Sequence, residues 1–135
     1  MKKVLILCTG NSCRSIIGEA VVNKELNPIG IKAFSAGSNP SGKVNPNAKK
    51  VLQSNDAWSD NYYSKTIDEV DKEAPFDLVV TVCDSAKEAC PMYSGAKKQV
   101  HLGFEDPDGK DYKAFEDIYS LIEEQLIGLI KEELI

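Results

Sequence analysis

Val4-Leu5-Ile6-Leu7-Cys8-Thr9-Gly10-Asn11-Ser12-Cys13-Arg14-Ser15 is the stretch on which the fold turns. Its first four residues are a short continuous apolar run, which predicts a strand buried on both faces. Small polar residues follow from Cys8 to Ser15. Beyond them Ile16, Ile17, Ala20, Val21 and Lys24 fall at helical spacing, ending near Asn27-Pro28-Ile29-Gly30. Strand, polar turn and helix in immediate succession form the opening half of a strand–helix–strand unit.

Residues 31–35 predict a second strand and 36–43 a loop rich in Gly, Ser, Asn and Pro. Asn45-Pro46 is a cap followed by a first-turn proline, opening a helix that carries Ala48, Val51 and Leu52. Residues 55–64 predict irregular chain, with Trp58, Tyr62 and Tyr63 as anchoring packing. Thr66 and Glu69 have capping-box spacing and predict a short helix ending near Pro75. Residues 77–82 are the strongest strand signal, and residues 100–104 predict the last strand. Phe115, Ile118, Ile122, Leu126 and Leu129 make a core-facing stripe on a C-terminal helix. Strands alternating with helices predict an α/β fold, a parallel sheet covered on both faces with right-handed crossovers. Sites in such sheets lie at the carboxyl ends of strands, where Cys8 and Cys83 both fall.

With 135 residues and no repeat or linker, residues 1–135 read as one domain. Surface scaling gives roughly 7,000 Å² exposed when folded against roughly 21,000 Å² extended, enough burial for a self-sufficient core. Sixteen basic against 21 acidic residues leave a net charge of −5, which argues against nucleic-acid binding. No apolar run approaches the ~20 residues of a membrane span. The apolar run near the start is too short for a ~7–15-residue signal core, so a cytoplasmic monomer is expected. Four cysteines in such a chain point to catalysis, redox chemistry or metal binding, not to a disulfide framework. The single histidine, His101, falls in a predicted strand and reads as structural.

The segment 8–15 has the spacing C-x5-R-S. A strand-to-helix loop turns consecutive backbone N–H groups toward one point, making an anion nest at a helix N-terminus. Arg14 can offer its planar fork to two oxygens of a tetrahedral oxyanion. Cys8 faces the same positive field and is expected as the thiolate, with Ser15 placed to donate a hydrogen bond to it. Thr9, Gly10, Asn11, Ser12, Cys13, Arg14 and Ser15 are the expected oxyanion-binding residues. The negative net charge does not conflict with this, because the field is local and made largely of backbone dipoles.

Cys83 and Cys90 are separated by six residues, unlike the two to four of a zinc ribbon. Were residues 84–90 helical, seven steps of ~1.5 Å would part the two Cα atoms by roughly 10.5 Å. A disulfide tolerates at most ~7 Å, so the pair can bridge only if the intervening polar segment unwinds. Pro107 biases Asp106 toward extended backbone in a loop after the last strand. A carboxyl so placed can protonate an oxygen leaving an oxyanion's centre.

Residues 4–107 resemble the low-molecular-weight protein tyrosine phosphatase superfamily. Cys-Thr-Gly-Asn-Ser-Cys-Arg-Ser is most similar to its thioredoxin-coupled arsenate reductase branch. That branch carries V-V-T-x-C-x6-C-P, matched by Val79-Val80-Thr81-Val82-Cys83 to Cys90-Pro91, which tyrosine phosphatases generally lack. The resemblance implies a three-layer flavodoxin-like fold with a four-stranded parallel sheet in the order 2-1-3-4. It implies Cys8 as nucleophile, Arg14 and Ser15 in the loop, Asp106 as general acid, and Cys83 then Cys90 as resolving thiols. Arsenate is the implied substrate and thioredoxin the implied reductant, with no flavin or nicotinamide. Asn11, Glu19 and Ser35 match positions that surround potassium in some reductases, although residues 55–64 do not align with the remaining ligands. Cys13 matches a cysteine that pairs with the nucleophile under oxidation in some phosphatases. Two alternatives stay open: a tyrosine phosphatase using Cys8, Arg14 and Asp106, and a cysteine-ligated metal or arsenite sensor. Residues 108–111 intervene before Tyr112, where phosphatases usually place aromatic residues directly after the proline.

Overall fold

A computed structural model describes residues 1–84, 93 and 96–135. β1 (Lys2–Cys8), β2 (Ile31–Gly37), β3 (Leu78–Thr81) and β4 (Gln99–His101) form one sheet in the order β2-β1-β3-β4, every pair parallel. The helices are α1 (Arg14–Leu26), α2 (Pro46–Ser54), α3 (Ile67–Val70) and α4 (Tyr112–Leu134). This is the three-layer flavodoxin-like arrangement expected above. The exposed surface of 6658 Å² matches the size scaling.

Alternation along β1 divides the core. Val4, Ile6 and Cys8 pack with α1, α2 and α4, whereas Leu5 and Leu7 pack with Val70, Phe76 and Val79 on the opposite face. Residues 4–8 of β1 are therefore apolar without interruption, because neither face meets water there, while Lys2 and Lys3 start the strand nearer the surface. In α4 the predicted stripe supplies the buried Phe115, Ile118, Ile122 and Leu126, while Leu129 is partly buried. Each such fully buried side chain contributes about 1.5–3 kcal/mol by leaving water. Gly18 lets α1 lie close to its neighbours: a Cβ there would stand 3.1 Å from both Ile6 Cγ2 and Leu126 Cδ2.

The caps form as the sequence predicts. Asn45 accepts the Asn47 N–H, and Thr66 and Glu69 complete a reciprocal capping box. Asp111, an unpredicted cap, accepts the Ala114 N–H and starts α4. All four strands differ in extent from expectation, β1 running from Lys2 through Cys8 and so beyond the apolar run 4–7 at both ends. β2 continues through Ala36 and Gly37, which pair with Leu7 and Cys8, so the loop begins two residues later. β3 is shorter than 77–82, although Asp77 and Val82 still donate to Lys3 and Leu7. β4 ends at His101, not 104, because His101 pairs with Thr81, where its one partner β3 ends; Leu102 and Phe104 still donate to Thr81 and Val82. That tail carries the chain over the carboxyl end of the sheet toward Asp106.

Candidate active site

Cys8 is the last residue of β1, and α1 begins six residues later at Arg14. The intervening carbonyls are claimed from outside the loop. Cys8 O accepts from Ser38 N, Thr9 O from Asn39 N, Gly10 O from Ser41 N and Ser12 O from Asn45 N, at 2.9–3.3 Å. In a planar trans peptide the N–H points opposite the carbonyl. The N–H groups of Thr9, Gly10, Asn11 and Cys13 are therefore directed to the concave side. Asn11 N does point there, donating to Cys8 Sγ at 3.3 Å.

Asn11 adopts φ 47°, a left-handed conformation costly for most residues but tolerated by Asn. Its side chain fixes that turn. Oδ1 accepts the Lys65 N–H at 2.8 Å, and Nδ2 donates to Ser15 Oγ at 2.7 Å and Ser35 Oγ at 3.0 Å. Since Ser15 Oγ accepts from Asn11, its own proton is directed to Cys8 Sγ, 2.9 Å away. Asn11 thus sets which way Ser15 donates.

Arg14 is 3% exposed at the start of α1. Its Nη1 donates to Phe104 O at 3.1 Å, and Nη2 lies 3.5 Å from Asp106 Oδ2. Asp106 Oδ1 in turn accepts the Asp108 N–H at 3.0 Å, and Asn45 Nδ2 donates to Asp108 Oδ1 at 2.7 Å. The tie through Asn45 holds the Asp-Pro loop to the start of α2. The resulting cavity of about 250 Å³ is lined by residues 8–14 with Ser41, Asp106 and Asp108. Its contents are a thiol, a ring of N–H donors, a guanidinium and a half-exposed carboxyl, which suit capture of a tetrahedral anion and attack on its central atom.

Cys13 lines this cavity together with Cys8. Burial pushes the Cys13 thiol up to about 12, opposed by the Ser12 hydroxyl and reinforced by Asp106, Asp108 and Cys8. Cys13 is therefore an uncharged thiol at neutral pH and no nucleophile. Cys83 lies two residues beyond β3, fully buried and disulfide-bonded, whereas Cys8 and Cys13 are free. Cys90 and the expected unwinding of residues 84–89 fall largely outside the described residues. His101 Nδ1 is 2.7 Å from Thr81 Oγ1, the satisfied structural role expected of it. Trp58 and Tyr62 stack edge to face at 5.9 Å and anchor the irregular stretch.

Glu19, Ser35 and Asn11 do meet behind the loop, with Ser35 Oγ donating to Glu19 Oε1 at 2.6 Å. Burial pushes the Glu19 carboxyl up to about 7, opposed by the Lys65 ammonium, the Ser35 hydroxyl and Lys32. Burial likewise pulls the Lys65 ammonium down, opposed by Glu19. Both partners move toward their neutral forms because lost hydration outweighs their attraction. Among the described residues no group of three or more His, Cys, Asp or Glu side chains could hold a metal ion.

Sequence reasoning missed Lys65, Phe104, Ser41 and Gly37. Gly37 gave no signal, because the sequence assigns it to the loop 36–43 and its place at the end of β2 beside Cys8 comes from pairing. A Cβ there would lie 2.5 Å from Thr9 O and 3.0 Å from Asn11 Cβ. Gly37→Ala is therefore expected to destabilise the fold by about 1–3 kcal/mol in urea unfolding. Displacing Thr9 and Asn11 should also weaken phosphate binding by about tenfold in calorimetry, equivalent to ~1.4 kcal/mol. Unchanged phosphate affinity would show that the loop does not depend on this close approach.

The family model described as low molecular weight phosphotyrosine protein phosphatase matches residues 3–134, and the chain belongs to that family. Within it, the chain is 40% identical over 119 residues to arsenate reductase 1 of Bacillus cereus, covering 87% of this chain and 85% of that one. The arsenate reductase of Archaeoglobus fulgidus superposes with a TM-score of 0.81 at 30% identity, covering 95% of this chain and 98% of that one. An arsenate reductase solved in its phosphate-binding state gives 0.81 at 25% identity over 98% and 99% of the two chains. No helix among the described residues is long and apolar enough to cross a membrane.

Proposed function

We propose that the chain reduces arsenate to arsenite through a relay of three thiols, in the cytoplasm, with thioredoxin as reductant. The observation that carries this reading is the shared edge from which two sulfurs emerge. Leu7 pairs with Thr81, so Cys8 follows one residue later on β1 and Cys83 two residues later beside it. The similarity to arsenate reductases and the C-x6-C spacing support it further.

In the first step the Cys8 thiolate displaces one arsenate oxygen, which leaves as water with a proton from Asp106. The N–H groups of the loop and Arg14 hold the remaining oxygens as charge builds on them. The Cys83 thiolate then attacks Cys8 Sγ. The sulfur–arsenic bonding pair stays on arsenic, which falls from pentavalent to trivalent and leaves as arsenite. Cys90 attacks Cys83 and releases the Cys8 thiolate, and the dithiol of thioredoxin reduces the remaining Cys83–Cys90 disulfide. A disulfide at Cys83 beside a free Cys8 is the state that such an order of events leaves before the reductant acts.

Thioredoxin-dependent arsenate reduction by Cys83→Ser and Cys90→Ser tests the proposal. Each substitution is expected to cut multiple turnover by about a thousandfold or more, because the disulfide cannot be passed outward. Hydrolysis of p-nitrophenyl phosphate, which needs only Cys8, Arg14 and Asp106, should change less than about threefold. Normal arsenate reduction by both variants would leave phosphatase chemistry as the function of the site.

A further inference from the structure

The site behind the oxyanion loop does not fit a bound potassium ion, because its oxygens already serve one another and a cation already stands there. Asn11 Oδ1 accepts the Lys65 N–H, Ser35 Oγ accepts from Asn11 Nδ2, and Ser35 donates to Glu19 Oε1. Lys65 Nζ lies 3.8 Å from that same Oε1, both side chains being 8% exposed. The ammonium also donates to Tyr63 O at 2.8 Å and stands 4.5 Å from the centre of the Tyr63 ring. A second monovalent cation beside this ammonium would meet direct charge repulsion, poorly screened where both side chains are buried.

We propose that the Lys65 ammonium does the work of a dissociable monovalent cation, as a positioning group for the Cys8 nucleophile. The route begins with the 3.8 Å ion pair and continues in hydrogen bonds. Lys65 holds Glu19, Glu19 accepts from Ser35, Ser35 accepts from Asn11, and Asn11 turns the Ser15 proton toward Cys8 Sγ. Lys65 reaches the same network a second time through its backbone N–H on Asn11 Oδ1. Without the ammonium, a buried Glu19 carboxylate has lost its counter-charge and must take a proton or draw in water or an ion. Either outcome redirects Ser35 and loosens Asn11, so the effect reaches the thiol without Lys65 touching substrate. The inference needs only a reactive Cys8 and holds for any oxyanion that the site turns over.

The test compares wild type with Lys65→Ala in potassium chloride and in sodium chloride of equal ionic strength. Two readouts avoid the reductase assay: the rate of Cys8 alkylation by iodoacetamide, mapped by peptide mass, and the thermal midpoint. Wild type should show the same alkylation rate and midpoint in both salts. In sodium chloride Lys65→Ala should alkylate Cys8 about tenfold more slowly, since the orienting network is lost. Potassium chloride should restore most of that rate and raise the midpoint by about 2–5 °C, because an ion now occupies the vacated place. Should the variant fail to fold in sodium chloride, its refolding yield in potassium chloride supplies the same comparison. Potassium stimulation of wild type, or a variant indifferent to the choice of cation in every readout, overturns the proposal. Loss of arsenate reduction alone, with these readouts as expected, would instead count against the relay.

Discussion

Cys8→Ser is expected to abolish arsenate turnover, by at least ~10⁴-fold, while leaving phosphate affinity within about threefold of wild type. The separation follows from the geometry. The proposed reading binds the anion by N–H groups whose direction is set by carbonyls bonded outside the loop, together with Arg14, and asks nothing of the sulfur. A serine hydroxyl would remain within reach of Asn11 N and Ser15 Oγ, so the loop keeps its internal ties. It would not be ionised at neutral pH, and an oxygen cannot form the disulfide by which electrons leave. Steady-state reduction and phosphate calorimetry on the one variant check both halves. Retained turnover would move the nucleophile elsewhere.

Arg14→Lys should lower kcat by about 10²–10³-fold, despite conserving charge. Arg14 engages two groups at once, Phe104 O through Nη1 and Asp106 Oδ2 near Nη2. The proposed chemistry asks the same planar fork to serve the anion's oxygens as well. An ammonium is a single point charge and cannot hold the loop after β4 and two anion oxygens together. KM should rise less than kcat falls, because the fork matters most when charge develops on the oxygens in the transition state. A raised KM with unchanged kcat would mean that Arg14 binds ground state and transition state equally.

Local signals made much of this legible. The apolar run of β1, the C-x5-R-S spacing, the Asn45 cap and the Thr66–Glu69 box each lie within a few residues and declare themselves without tertiary context. The loop and Asp106 meet as expected, and Ser15 faces Cys8. Strand ends were less legible, since pairing at Ala36 and Gly37 depends on the neighbour β1 and not on their own composition. Lys65 was illegible for a stronger reason. Its role depends on Glu19, 46 residues earlier and presented by α1, and on a stretch with no periodicity to give its direction. The identity of a counter-charge is a property of three-dimensional packing that spacing does not encode.

The tight seat of Gly18 reaches further than its own contacts. It lies one helical turn below Arg14, wedged between the β1 side chain Ile6 and the α4 side chain Leu126. A methyl group added there would require Ile6, Leu126 or the helix itself to give by a few tenths of an ångström, and the guanidinium rides on that helix. The anion cradle is thus calibrated from its underside. Anyone grafting these eight loop residues onto a foreign scaffold would have to transplant the hidden seat as well, or inherit a pocket with the right atoms aimed slightly past their target.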